Sequence, residues 1–216
     1  MAAYKTGDLF SFPLPTGEQM AGRILLDVKR QCIQPRRLTP SSPLAFFNGS
    51  LLIETYRQTS PEPVREASSE VLIPGLFTDP RSLESGRWTV TGSRDVDPAE
   101  VDFPQALFLA GPKVHFVWGE ISLPARLTYA DFQRIDIAHT IEPSGILGEI
   151  CLYHLGRSGE IGNPALQDVE LRNLAHGDLR FSPHKKEVYA SLDEDVRGSY
   201  YEVALRLGQD LRRFYE

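Results

Sequence analysis

Apolar and polar positions alternate along much of the first 120 residues, and this pattern predicts short β-strands. Residues 8–14 alternate, residues 20–28 alternate again, and the segment 15–17 between them carries the proline and glycine of a turn. The pair therefore predicts a hairpin. On its second strand Arg23 falls opposite the apolar face, where we expect it to meet solvent. Further strands are predicted at 51–56, 71–74, 88–92, 103–110, 114–119 and 148–155, with a second hairpin at 179–191.

In the C-terminal segment the apolar residues recur with the period of a helix and not with that of a strand. Tyr200, Val203, Leu207, Leu211 and Phe214 recur at helical spacing and form one apolar stripe, with charged residues between them. This spacing predicts an amphipathic helix over 200–215 that packs on a sheet, since a helix of this length is marginal in water by itself.

The predicted fold class is α+β and β-rich. We expect a twisted antiparallel sheet or a partly open barrel, with the C-terminal amphipathic helix packed on it. The 16 prolines and 17 glycines agree with short elements and frequent turns. We predict one domain over 1–216, with a β-rich portion at 1–120 and an α/β portion at 121–216. A candidate seam lies near 119–126, so whether the second portion is separable stays open at this point.

The net charge of the chain limits the kinds of binding partner that it suits. The chain carries 23 basic and 29 acidic residues, a net charge of −6. An acidic surface disfavours direct binding to nucleic acid and to membrane surfaces, and it suits a basic protein, although it also serves ordinary solubility. With no signal-peptide pattern and no long apolar stretch, a cytoplasmic location is expected.

The sequence carries few signals of catalytic chemistry. The chain contains no glycine-rich phosphate loop, no GxSxG motif and no HExxH motif. Cys32 and Cys151 lack the spacing of a redox or zinc motif and are expected to be buried. The nearest approach to a metal cluster is His176, Asp178 and His184, which a turn explains more simply. We therefore predict no catalytic residue, no metal and no cofactor.

Two acidic runs are the candidate partner-binding features. Four acids fall within eight residues in the first run, and three consecutive acids form the second. Each run makes a local negative patch of the kind that steers a basic partner, and each is also compatible with a solvated loop or turn. The candidate residues are Asp95, Asp97, Glu100 and Asp102 in the first run, and Asp193, Glu194 and Asp195 in the second.

Several short motifs occur together in a recognisable order. Residues 7–17 read GDLFSFPLPTG and residues 22–25 read GRIL, which resembles the opening of the Immunity protein 26 family. The segments 53–57 (IETYR), 86–92 (GRWTVTG) and 102–104 (DFP) are similar to later blocks of that family. The resemblance covers roughly residues 4–120.

The resemblance implies an intracellular protein encoded beside a polymorphic toxin, which protects the producing cell by binding the toxin and usually covers its active site. The implied partner is a cognate toxin domain, and many such toxins are nucleases with basic surfaces. The family supplies no catalytic residues. Two alternatives stay open. A small-molecule or peptide binding module without catalytic activity would have an enclosed apolar pocket, and an unrecognised enzyme would have a cleft where a histidine meets a carboxylate.

Overall fold

Eight strands and five α-helices are present in the computed structural model, which describes residues 4–66, 68, 70–138, 141–162 and 177–216. The strands are β1 Asp8–Pro13, β2 Gln19–Asp27, β3 Leu51–Ser60, β4 Val71–Thr78, β5 Thr89–Ser93, β6 Gln105–Ala110, β7 Lys113–Trp118 and β8 Ile121–Ala125. The helices are α1 Arg81–Glu84, α2 Tyr129–Ile135, α3 Leu147–His154, α4 Lys185–Ala190 and α5 Tyr200–Arg206. A π-helical turn spans Val28–Ile33, and short 3₁₀ helices include Pro43–Phe47, Pro98–Glu100, Leu179–Phe181 and Leu211–Phe214.

The strands form two open antiparallel sheets. The first has the order β4-β3-β2-β1-β5, and the second has the order β6-β7-β8. The predicted α+β, β-rich class is confirmed, with open sheets rather than a closed barrel. The predicted hairpin at 8–28 is β1 and β2, in which Phe10 lies opposite Gly22.

One face of the first sheet packs against α3. Phe10 stacks on Trp88 with ring centroids 4.8 Å apart, and both side chains are buried together with Ile24 and Cys151. A Cβ atom on Gly22 would lie 2.4 Å from the Phe10 ring, so this strand position has no room for a side chain. The alternation of β1 and β2 thus builds one side of a core that α3 closes on the other.

A second core joins the two predicted portions of the chain. Phe116 and Trp118 of β7 pack with Tyr200 and Val203 of α5. The same buried cluster includes Leu25 from β2. Residues from 1–120 and from 121–216 therefore share one set of apolar contacts.

Two predicted elements were wrong. Residues 148–155, predicted as a strand, form α3, because a short apolar run has the same pattern in a buried helix as in a strand. The hairpin predicted at 179–191 is a 3₁₀ turn followed by α4. The segment 119–126, where the sequence offers a candidate seam, contains β8, which pairs with β7.

The C-terminal helix is confirmed but is shorter than predicted. Helix α5 begins with a capping box in which Ser199 and Glu202 bond each other's backbone N–H. It ends at Arg206; just beyond it, Gly208 has a φ of 79° and its N–H donates to Leu205 O, while Gln209 N donates to Ala204 O at 2.8 Å. This pair of bonds is a Schellman motif, the usual helix stop at glycine. No helix among the described residues is long and apolar enough to cross a membrane.

Candidate functional site

The first acidic run lies in the connection between β5 and β6. Asp95, Asp97 and Glu100 are exposed there. The Asp97 carboxylate accepts a hydrogen bond from Ala99 N at 2.9 Å and so caps the 3₁₀ turn at Pro98–Glu100. The turn thereby holds a defined backbone shape while its acids face solvent.

A buried ionic network lies beneath this run. Arg23 is only 3% exposed, and its Nη1 donates to Asp95 O at 3.1 Å. Its Nε lies 2.8 Å from Oε1 of Glu54, and its Nη2 lies 3.9 Å from the Glu100 carboxylate. The prediction that Arg23 meets solvent was therefore wrong, because its cross-strand neighbour Glu54 supplies a buried counter-charge.

Two further side chains complete the network. The Tyr56 hydroxyl donates to Glu54 and accepts a hydrogen bond from Nη2 of Arg94 at 2.6 Å. Burial raises the pKa of Tyr56, and the hydrogen bond to Glu54 raises it further. Tyr56 is accordingly a neutral donor, and the network anchors the acidic run to the first sheet from below.

Asp102 differs from the other acids of its run because its carboxylate points inward. It accepts hydrogen bonds from Trp118 Nε1 and from Arg180 Nη1, both at 2.8 Å, and its side chain is 27% exposed. Arg180 in turn donates from Nε to Asp178 at 2.8 Å. These bonds hold β7 and the 179–181 turn together, so Asp102 serves the fold.

The second acidic run is exposed and is partly neutralised by arginines. Asp193 lies 3.3 Å from Nη1 of Arg126. Asp195 accepts from Nε of Arg197 at 2.8 Å, and this hydrogen bond lowers the pKa of Asp195 to about 2. Asp195 therefore stays ionised in mildly acidic solution, but the net charge of the run is smaller than its sequence suggests.

Helix α5 relates the two acidic runs in space. The 3₁₀ turn at Pro98–Glu100 packs against α5, and Arg206 of α5 donates to the backbone oxygen of Asp195. Both runs thus adjoin the same helix. We use the term acidic surface for the exposed carboxylates at 95, 97, 100, 193, 194 and 195.

A groove of about 570 Å³ lies on the outer face of the second sheet. Its floor includes Phe108 and Val117, which lie on the same face of the sheet, and its walls include Pro43 and Phe132. We call it the apolar groove. The sequence did not predict it, because the groove forms where the 40–46 segment meets β6, and no local pattern indicates that contact.

Other acids and the two cysteines of the described residues have structural roles. Asp131 completes a capping box with Thr128 at the start of α2, and Asp136 ends that helix with a φ of 51°. Desolvation by burial raises the pKa of the Cys151 thiol to about 12 and also raises that of Cys32, so neither forms a thiolate readily. His176 lies outside the described residues. Among the described ones, no cluster of three or more histidines, cysteines and carboxylates suits a metal ion.

Comparison with known proteins supports one family. The family model described as Immunity protein 26 matches residues 5–108, which confirms the resemblance seen in the sequence. Nothing matches the chain among curated proteins or among solved structures. The matched segment contains β1 to β5 and most of β6, together with the first acidic run and Phe108. The family implies a role as an immunity protein in a toxin system.

Proposed function

We infer from the Immunity protein 26 match over residues 5–108 that this chain protects a bacterial cell by binding its cognate toxin domain and covering the active site of that toxin. The protein then acts by stoichiometric binding in the cytoplasm, without catalysis. The family match is the observation that carries this proposal. The roles of Asp131, Asp136, Cys32 and Cys151 in packing and capping agree with it.

Co-expression is the direct test of this proposal. A bacterium would express the C-terminal domain of the toxin-type protein encoded beside this chain, with and without the chain itself. We expect the chain to restore viability and to co-purify with the toxin domain in a one-to-one complex. An unrelated toxin domain is the specificity control. Death of the cells despite abundant soluble chain, with no complex formed, would contradict the proposal for that pair.

We further propose that the acidic surface accelerates encounter with a basic toxin domain. The carboxylates at 95, 97 and 100 are exposed and are held on a capped turn. Charges at the rim of an interface change the association rate and its salt dependence more than they change the dissociation rate. A basic nuclease is the toxin class that fits best, since its substrate-binding surface must attract phosphates.

Neutralising the first run tests this role. In the variant D95N/D97N/E100Q, the amide oxygen introduced at position 97 can still cap the turn. We expect the association rate to fall about 10-fold at low salt and the dissociation rate to change little, as measured by surface plasmon resonance at several ionic strengths. The control E70Q/E84Q/D136N changes the net charge equally at other exposed positions. Equal slowing by both variants would mean that only overall charge matters.

The apolar groove favours a second candidate function, binding of a peptide or an apolar small molecule. Its volume of about 570 Å³ lies within the range of ligand sites, and most of its lining is apolar. Failure of every toxin pairing, together with saturable binding of an apolar probe that Phe108→Ser abolishes, would favour this function.

A further inference from the structure

Phe108 is exposed although it lies in the middle of a strand. Alternation along β6 directs Leu107 into the core, where it is 1% exposed, and directs Phe108 to the outer face, where it is 52% exposed. Across the sheet Phe108 pairs with His115 of β7. Covering an exposed phenylalanine removes apolar surface from water. A partner that packs on Phe108 therefore binds with a more favourable free energy.

Among the residues that the structure describes, twelve line the groove around Phe108, and none of these twelve carries a charged side chain. Charged residues make up 24% of the chain, so about three would be expected in a set of that size. A charged group that entered the groove would lose hydration without meeting a counter-charge. The electrostatic complement of this lining is therefore an uncharged, apolar segment. A phosphate, a nucleic acid or a basic peptide does not fit it.

The floor of the groove is preorganised. Val117 is 1% exposed and pairs with Ser122 of β8, while Leu107 N donates to Ile137 O at 2.9 Å. Phe108 therefore projects from paired strands and not from a loop. A rigid aromatic anchor on a strand loses little conformational entropy on binding, which is a common property of interface hot spots.

We propose that the apolar groove receives an uncharged hydrophobic segment of the cognate toxin domain, with Phe108 as the anchoring side chain. This inference rests on the proposed immunity function. It assigns the two surfaces different parts in the binding kinetics. The acidic surface governs how fast the complex forms, and the groove governs how long it lasts. Tight protection needs both, because charge alone gives a fast but salt-sensitive encounter.

The test is a comparison of Phe108→Ser with Phe181→Ser in binding to the purified toxin domain. Phe181 is a matched control because it is also a surface phenylalanine, 42% exposed, and lies against His154 and not in the groove lining. We expect Phe108→Ser to weaken the complex about 30-fold or more, almost entirely through faster dissociation. Phe108→Leu should retain most of the affinity, and Phe181→Ser should retain wild-type affinity. Circular dichroism and thermal unfolding of the free variants verify that each is folded.

Three outcomes would overturn the inference. If the wild-type chain binds the toxin and Phe108→Ser binds equally well, the immunity function stands and the groove is not the anchor. If the free wild-type chain is a dimer that Phe108→Ser dissociates, with toxin affinity unchanged, the groove is occupied by a second copy. If the wild-type chain binds no toxin domain, the immunity function fails and this inference fails with it.

Discussion

Replacing Gly119 by alanine is expected to destabilise the protein by several kcal/mol, far more than the same change at Gly111. Both glycines occupy the first position of a two-residue hairpin loop, Gly111 between β6 and β7 and Gly119 between β7 and β8. Their φ angles are +60° and +58°. Alanine at either site is strained by about 1–3 kcal/mol, because an L side chain rarely adopts such a φ.

The two sites differ in what an added methyl group would meet. At Gly119 a Cβ atom would lie 2.8 Å from the Tyr200 ring and 2.9 Å from the Phe103 ring, whereas at Gly111 it would have no atom of the described residues within 4 Å. Both rings are buried in the core, so overpacking adds roughly 1–3 kcal/mol at Gly119 alone. Urea denaturation of the two variants would measure the difference. Equal losses would mean that the core yields to the methyl group and that backbone strain is the whole effect.

Several strands of the first 120 residues were predictable because apolar side chains recur at every second position, even where both faces of the strand are buried, as in β2. Alternation marks such strands directly, as in β1, β2 and β7. Helix α3 was not predictable in the same way, because Leu147, Ile150, Cys151 and Leu152 are buried together and leave no polar stripe. Gly208 signals the end of α5, but the apolar stripe that continues to Phe214 indicated a longer helix; beyond the glycine that stripe belongs to a separate 3₁₀ turn.

The residues of the candidate surfaces also differ in how well the sequence predicts them. Clustered acids are visible in a sequence, so six exposed carboxylates could be named in advance. The sequence around Asp102 does not distinguish it from the exposed acids of its run. The inward orientation of its carboxylate depends on Arg180, a residue 78 positions away. Similarly, Arg23 has the pattern of a surface residue until the β2–β3 register places its partner Glu54 beside it. Long-range pairing therefore decides which charges are available to a partner.

Replacing Arg180 by methionine is expected to cost about 3–5 kcal/mol of stability, because it removes the buried counter-charge of two carboxylates. The Arg180 side chain is 7% exposed, and it donates to Asp102, to Asp178 and to the backbone oxygen of Gly75. Restoring neutrality in the triple variant D102N/D178N/R180M should recover much of the loss. Arg197→Met is the matched control, since its pair with Asp195 is exposed to solvent and such pairs contribute little to stability.

The Arg180→Met variant also tests the domain organisation. We propose that residues 1–216 form a single domain. Arg180 belongs to the C-terminal portion, whereas Gly75 and Asp102 belong to the segment matched by the family. Loss of this link should therefore destabilise both sheets together, and thermal unfolding should remain a single transition at a lower temperature. Two separate transitions in Arg180→Met, with the first sheet unaffected, would instead mean that residues 121–216 unfold independently of the family-matched segment.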